Sequence, residues 1–353
     1  MAITSLTDLQ EHVRWAIQLE HSTLAPYLYA YYSFKNAGTE DAPEAARIIK
    51  DVVVEEMLHM AHTCNIYNAL GGEHLNLTDA YYFPTYPGPL PHHRTDPPLT
   101  LHLEKASISL ISNVFQVIEK PESIGAIAEG DHYAAIGQFY KAIQIGLEAI
   151  NEFPGDRSKQ VTRIFGYGGG RHGHLVKVTD LYSASLAIKQ IVEQGEGSAQ
   201  TEYSPDGGLA HYWKFNQIVD GTLPFRTRDI YPVVGDPKVA ELPEGPVREL
   251  CQFFNDSYCL LLRALSKIYS QGDSSELVKQ GSLFTLMDGV LRPAAQALVQ
   301  TPIPGTDVHA GPSFEHSTAP QDDVERKAAI LAEQFPRLEA IPQALKELPP
   351  IDD

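Results

Sequence analysis

The sequence predicts an all-α fold, a bundle of four helices lengthened by further C-terminal helices and interrupted by long Pro-rich loops. Two observations predict it. Apolar residues recur at steps of three and four along several long stretches, which is the period of an amphipathic helix. Between those stretches fall the Gly and Pro positions that start and stop helices.

The first helix covers residues 6 to 36, with Thr7 or Asp8 as N-cap candidates and Leu6, Leu9, Val13, Ala16, Ile17, Leu24, Tyr27 and Tyr31 on its stripe. Pro26 lies inside it and predicts a kink that frees backbone carbonyls near Glu20. Asp41-Ala-Pro43 restarts a helix that runs to about Leu70, where Gly71-Gly72 supplies the left-handed positions that end helices. These two helices form an antiparallel hairpin. Residues 78 to 98, rich in Pro, Tyr and His, exclude regular helix and form a crossing loop that can line a pocket mouth.

A third stretch, roughly 101 to 119, ends at Pro121, and a fourth, roughly 130 to 151, carries Tyr133, Ile136, Tyr140, Ile143, Leu147 and Ile150. A Gly-rich loop from Gly166 to His174 precedes a helix over 178 to 195, stopped at Gly195 and Gly197, and another helix starts near Leu209. Beyond Asp220-Gly221 a Pro-containing loop leads to helices over about 245 to 271 and 275 to 300, and to a short surface helix over 323 to 335 stopped at Pro336. The chain therefore divides into a helical bundle, 1–220, the part in which the metal-site candidates below fall, and a C-terminal helical extension packed on it, 221–353.

Composition narrows the partners. Among 353 residues, 27 are basic and 45 acidic, a net charge of -18, so the molecule repels phosphate and anionic lipid at long range. Nucleic acid and membrane are disfavoured as partners, and a small molecule is favoured; a homo-oligomer stays open. The N-terminus lacks a basic region followed by an apolar one, and no segment approaches the roughly 20 apolar residues of a membrane span. Cys64, Cys251 and Cys259 form no disulfide pattern. These features point to a cytoplasmic protein.

Glu20 lies on the apolar stripe of its helix, between Ala16 and Leu24. A bare buried carboxylate costs several kcal/mol, on the order of 2 or more, so Glu20 needs a proton, a base or a metal. The second helix offers partners on the face Ile49, Val52, Glu56, His59, Thr63, Ile66, where Glu56 and His59 are one turn apart. Glu20 and Glu56 are each 18 residues from the turn near residue 38, hence at one level. An ordinary surface ion pair would explain Glu56 and His59 alone, but not a stripe-centred Glu20 opposite them. Glu55 and His62 flank this face as solvated or supporting residues.

Several segments together resemble a bacterial ferritin-like family that includes the iminophenylpyruvate dimer synthase region of violacein-type pathway proteins. They are Glu20-His-Ser-Thr-Leu-Ala-Pro-Tyr-Leu28, Glu56-Met-Leu-His59, Ile118-Glu-Lys-Pro121, Ile136-Gly-Gln-Phe-Tyr140, Ile191-Val-Glu-Gln-Gly-Glu-Gly197 and Met287-Asp-Gly-Val-Leu-Arg-Pro293. The resemblance implies a ferritin-like four-helix bundle. Di-iron bundles place one Glu on each of two helices and Glu-x-x-His on the other two.

The second half of that pattern is irregular here. Glu193 is the carboxylate candidate on the 178–195 helix, with Glu196 as its substitute if the register slips, and His211 is the best-placed imidazole. Gln138, at the matching level of the fourth helix, is neutral. Glu119 is a further carboxylate candidate, although Pro121 suggests a helix-terminal role for it. Carboxylate and imidazole donors without thiolate favour iron, Fe2+ or Fe3+, ahead of manganese, as one ion or two. The reading is an oxidoreductase that uses oxygen or peroxide on a small aromatic or amino-acid-derived metabolite, imino-acid coupling being the reaction the resemblance implies. The alternative is a non-catalytic iron-binding protein.

Overall fold

A computed structural model describes residues 3–94, 97–123, 125–130, 132–163, 172–195 and 208–351. Helix α1 spans Leu6–Tyr32 and begins earlier than its sequence candidates suggest, because the Ser5 side chain accepts from the Asp8 N–H at 3.1 Å. Pro26 has no N–H for the Ser22 carbonyl, and the phenol of Tyr86 from the crossing loop donates to that oxygen at 2.8 Å. The free carbonyl thus anchors the loop.

Helix α2, Glu44–Ala69, is N-capped by Pro43 and is followed at Gly71 by a φ of +74°, the left-handed turn that closes it. It packs antiparallel along α1. The crossing loop carries a two-residue antiparallel ribbon, β1 (Gly88–Pro89) with β2 (Thr100–Leu101), so the third helix starts later than its pattern indicates.

That helix, α3, is interrupted: Ile108–Leu110, a π-helical turn Ile111–Phe115, then Gln116–Ile118. Helices α4 (Ile136–Ile150) and α5 (Leu181–Gly195) complete a ring in which α1 touches α2, α2 touches α5, α5 touches α4 and α4 touches α1. The short helix α6 (His211–Val219) lies across one side of the bundle against α2 and α3.

Helix α7 (Pro246–Gln271) and the interrupted helix α8 (Ser282–Phe284, π-helical Thr285–Leu291, Arg292–Gln300) pack on the α1–α2 hairpin from the opposite side. The π-turn ends two residues before Pro293, which cannot donate to a helical carbonyl. Helix α9 (Gln321–Ala332) and a six-residue α10 (Ile341–Lys346) finish the fold; α10 is too short to leave a readable stripe. All three cysteines are buried and free. No described helix is long and apolar enough to cross a membrane.

Candidate metal centre

Glu20 of α1 is only 4% exposed, and Glu56 and His59 of α2 face it across the hairpin at 3% and 2%. Two more buried groups arrive from outside the four-helix ring. Glu119 closes α3, and His211 is the first residue of α6. Their donor atoms form two groups, Glu20–Glu56–His59 and Glu56–Glu119–His211, each with its atoms within 4.8 Å of one another. Glu56 is common to both.

Each donor is held from behind. Tyr140 of α4 donates to Glu20 Oε1, and Tyr27 of α1 donates to Glu119 Oε1 at 2.6 Å. The Thr23 hydroxyl donates to Glu56 Oε2 at 2.8 Å. His59 Nε2 donates to Gln194 Oε1 at 3.0 Å, and the Gln194 amide is oriented by its own donation to the His172 carbonyl, also 3.0 Å. His211 Nε2 donates to Glu55 Oε2 at 2.7 Å.

Both imidazoles therefore turn Nδ1 inward. His59 Nδ1 lies 3.4 Å from Glu56 Oε1 and 3.8 Å from Glu20 Oε2. His211 Nδ1 lies 3.0 Å from Glu56 Oε1 and 3.4 Å from Glu119 Oε2. Outward polar partners fixing inward nitrogens are the usual support of metal-ligating imidazoles.

The electrostatics are tightly balanced. Burial and the neighbouring Glu56 charge push the Glu20 carboxyl well above the usual carboxylate range. Burial acts the same way on Glu56 but is outweighed by the His211 and His59 imidazoles beside it, which hold it low. At His211 burial disfavours the cation, yet the charge of Glu119 and the closeness of the Glu55 and Glu56 carboxylates raise its pKa well above the ordinary value. Glu55 is also held low, burial being overcome by His172, His211 and Lys214.

These residues fit metal ions on three grounds. His211 Nδ1 is buried and makes no well-aligned hydrogen bond. The donors are three carboxylates and two imidazoles, with no thiolate, the set that suits iron or manganese. About 10 Å³ remains among Glu20, Glu56, His59 and Glu119, beside Leu19, Ile136, Ile191 and Val192, the scale of one small particle.

The structure brings Glu20, Glu56, His59 and His211 together, and leaves Glu193 aside. Glu193 belongs to neither donor group and lies 3.8 Å from Lys189 on its own helix. Its neighbour Gln194 faces inward instead, because the buried stripe of α5 runs through Ala184, Ala187, Ile188, Ile191 and Gln194. Extending that stripe one more turn would have found it.

Glu119 combines both of its candidate roles, ending α3 and pointing inward. Its signal was the spacing Ile111, Phe115, Glu119, the same kind that singled out Glu20. Gln138 caps α4, accepting from the Ala135 N–H at 3.1 Å and donating to the Ile127 carbonyl at 2.9 Å, so it does not reach the centre. Neither Glu55 nor His62 is solvated; both are buried. Glu196 lies outside the described residues.

A family model described as Ferritin-like matches residues 13–220, well over half of the chain. The chain belongs to the ferritin-like family. Among relatives of this ferritin-like protein is the dichlorochromopyrrolate synthase of Lentzea aerocolonigenes, 28% identical over 93% of this chain and 38% of that one. A 2-imino-3-(indol-3-yl)propanoate dimerase of Chromobacterium violaceum is 25% identical over 95% of this chain and 37% of its own length. The chain thus spans under two fifths of either relative.

A crystal structure of a ferritin-like protein from Caulobacter vibrioides superimposes with a TM-score of 0.62 at 22% identity, covering 90% of this chain and 100% of that one. That likeness shows the fold.

Proposed function

We propose that Glu20, Glu56, His59, Glu119 and His211 hold two iron ions, with Glu56 shared between them, and that the protein is an oxidoreductase. The observation that carries this is the pair of donor groups meeting at Glu56. Non-haem iron in such a site supplies redox chemistry with dioxygen or peroxide. The substrate class we infer is a small aromatic or amino-acid-derived molecule, supported by the relative named as a 2-imino-3-(indol-3-yl)propanoate dimerase.

The chain's own residues prepare the centre. Tyr140 and Tyr27 each occupy one oxygen of a carboxylate, leaving the other for an ion. Gln194 and Glu55 keep a proton on each outer Nε2 and present the inner Nδ1 as a donor. Lys214 offsets the Glu55 charge. Leu19, Ile136, Ile191 and Val192 limit water around the centre.

The test is the iron content of protein loaded with ferrous iron without oxygen, followed by the absorption change on admitting oxygen. The proposal expects stoichiometric iron, an oxygen-dependent spectral change, and loss of both in a Glu56→Ala, His59→Ala variant. Equal iron in wild type and variant overturns the site. Uptake of iron on a mineral scale indicates a storage protein instead.

A further inference from the structure

Behind the α1–α2 hairpin, on the side away from the donor groups, lies a second cavity of about 90 Å³ between the hairpin and helices α7 and α8. Its hairpin wall is made by Leu24, Met57, Met60 and Cys64. Leu24, Met57 and Met60 each adjoin a centre residue in sequence, Thr23, Glu56 and His59, and point elsewhere because successive helical residues differ by about 100°. The opposite wall is Phe254, Leu261, Leu262 and Leu283, and the cavity is closed by Phe314.

Two of the three phenols that line it are already engaged. The Tyr258 phenol donates to His21 Nε2 at 2.8 Å, since His21 Nδ1 is given to the Tyr82 carbonyl at 2.9 Å. The Tyr269 phenol donates to the Ala61 carbonyl at 3.3 Å. Burial pushes the Cys64 thiol far up, so it stays neutral. A water inside would lack the two to four polar partners it requires, and apolar cavities of this kind stay dry and take apolar guests.

Four of the lining residues are only half-buried, Leu28, Met57, Leu265 and Met287. They form an apolar mouth, and two are methionines, whose flexible unbranched chains re-pack at little cost. A cavity of this size destabilises a fold in proportion to its volume, so a guest that fills it is bound with a gain in packing. We infer that this cavity is a binding site for a small uncharged apolar molecule, no larger than a single six-membered ring, separate from the metal centre. This inference does not depend on the proposed oxidoreductase activity.

The probes are xenon and benzene. A crystal of the full chain pressurised with xenon should show the gas within this cavity. In solution, benzene should raise the thermal midpoint of the wild type in a saturable way. Leu261→Phe and Leu283→Phe, which fill the cavity from helices that carry no donor residue, should each abolish that rise while keeping the wild-type iron content. Ordered water in the cavity, absence of xenon from it, or a benzene shift that persists in both variants overturns the inference. Failure of both variants to fold also overturns it, because the added ring atoms would then have found no room.

Discussion

The Nε2 of His211 lies 2.7 Å from Glu55 Oε2, and the same carboxylate oxygen accepts from Lys214 one turn further along α6. Glu55 Oε1 is 3.2 Å from His172 Nδ1. One buried carboxylate therefore fixes an inward-facing imidazole and neutralises an otherwise buried ammonium. Replacing it by Glu55→Gln keeps the shape and removes the charge. We expect iron affinity to fall by roughly 10- to 100-fold, the usual effect of losing an outer partner of a ligating His. Competition titration against a chelator measures this, and unchanged affinity would show that Glu55 only stabilises the fold.

Glu119 and Glu193 make opposite predictions. Glu119→Ala empties the second donor group of a carboxylate and should reduce bound iron from about two ions per chain to about one. Glu193→Ala should leave the content unchanged, because Glu193 pairs on its own helix with Lys189 at 3.8 Å. Elemental analysis of iron-loaded variants decides between them, and the reverse pattern would return Glu193 to the centre.

Tyr140→Phe deletes the only hydroxyl that an α4 residue gives to Glu20 among the described contacts. The carboxyl of Glu20 is buried, so losing a donor should cost about 1–3 kcal/mol. Urea unfolding of chelator-treated protein reads this cost directly. A cost near zero would mean that Glu20 finds another partner.

His62 supplies the pH dependence. Burial, and secondarily the His59 imidazole, pushes its pKa down to about 3. The folded state thus takes up its proton later than the unfolded chain, whose His titrates near 6.5. Stability contributed by neutral His62 is complete above about 6.5 and is lost as pH falls from there toward about 3, a loss of several kcal/mol, on the order of 4. Both ring nitrogens are buried without a well-aligned hydrogen bond. His62→Leu should accordingly flatten the acid limb of urea midpoints in chelator-treated protein and raise stability at neutral pH. An acid limb as steep as the wild type's would assign the loss to other groups.

The first half of the centre was legible because it is local. Glu20, Glu56 and His59 lie on two consecutive long helices joined by one turn, so periodicity gives the face and counting gives the level. The C-terminal half of the same centre obeys no such count. Glu119 and His211 are 92 residues apart in number and stand at the end of one short helix and the start of another. Terminal residues of short helices carry little stripe, and their direction is set by what the helix packs on.

Glu193 and Gln194 differ by one position, yet one position is about 100° of rotation, and the packing of Ala187, Ile188 and Ile191 chose Gln194. The sequence by itself determined the all-α bundle, the paired hairpin, and a carboxylate on a buried stripe that required compensation. Only tertiary structure decided which distant residues supply it, because long-range docking of α3 and α6 fixes Glu119 and His211 against Glu56, and no local periodicity encodes that docking.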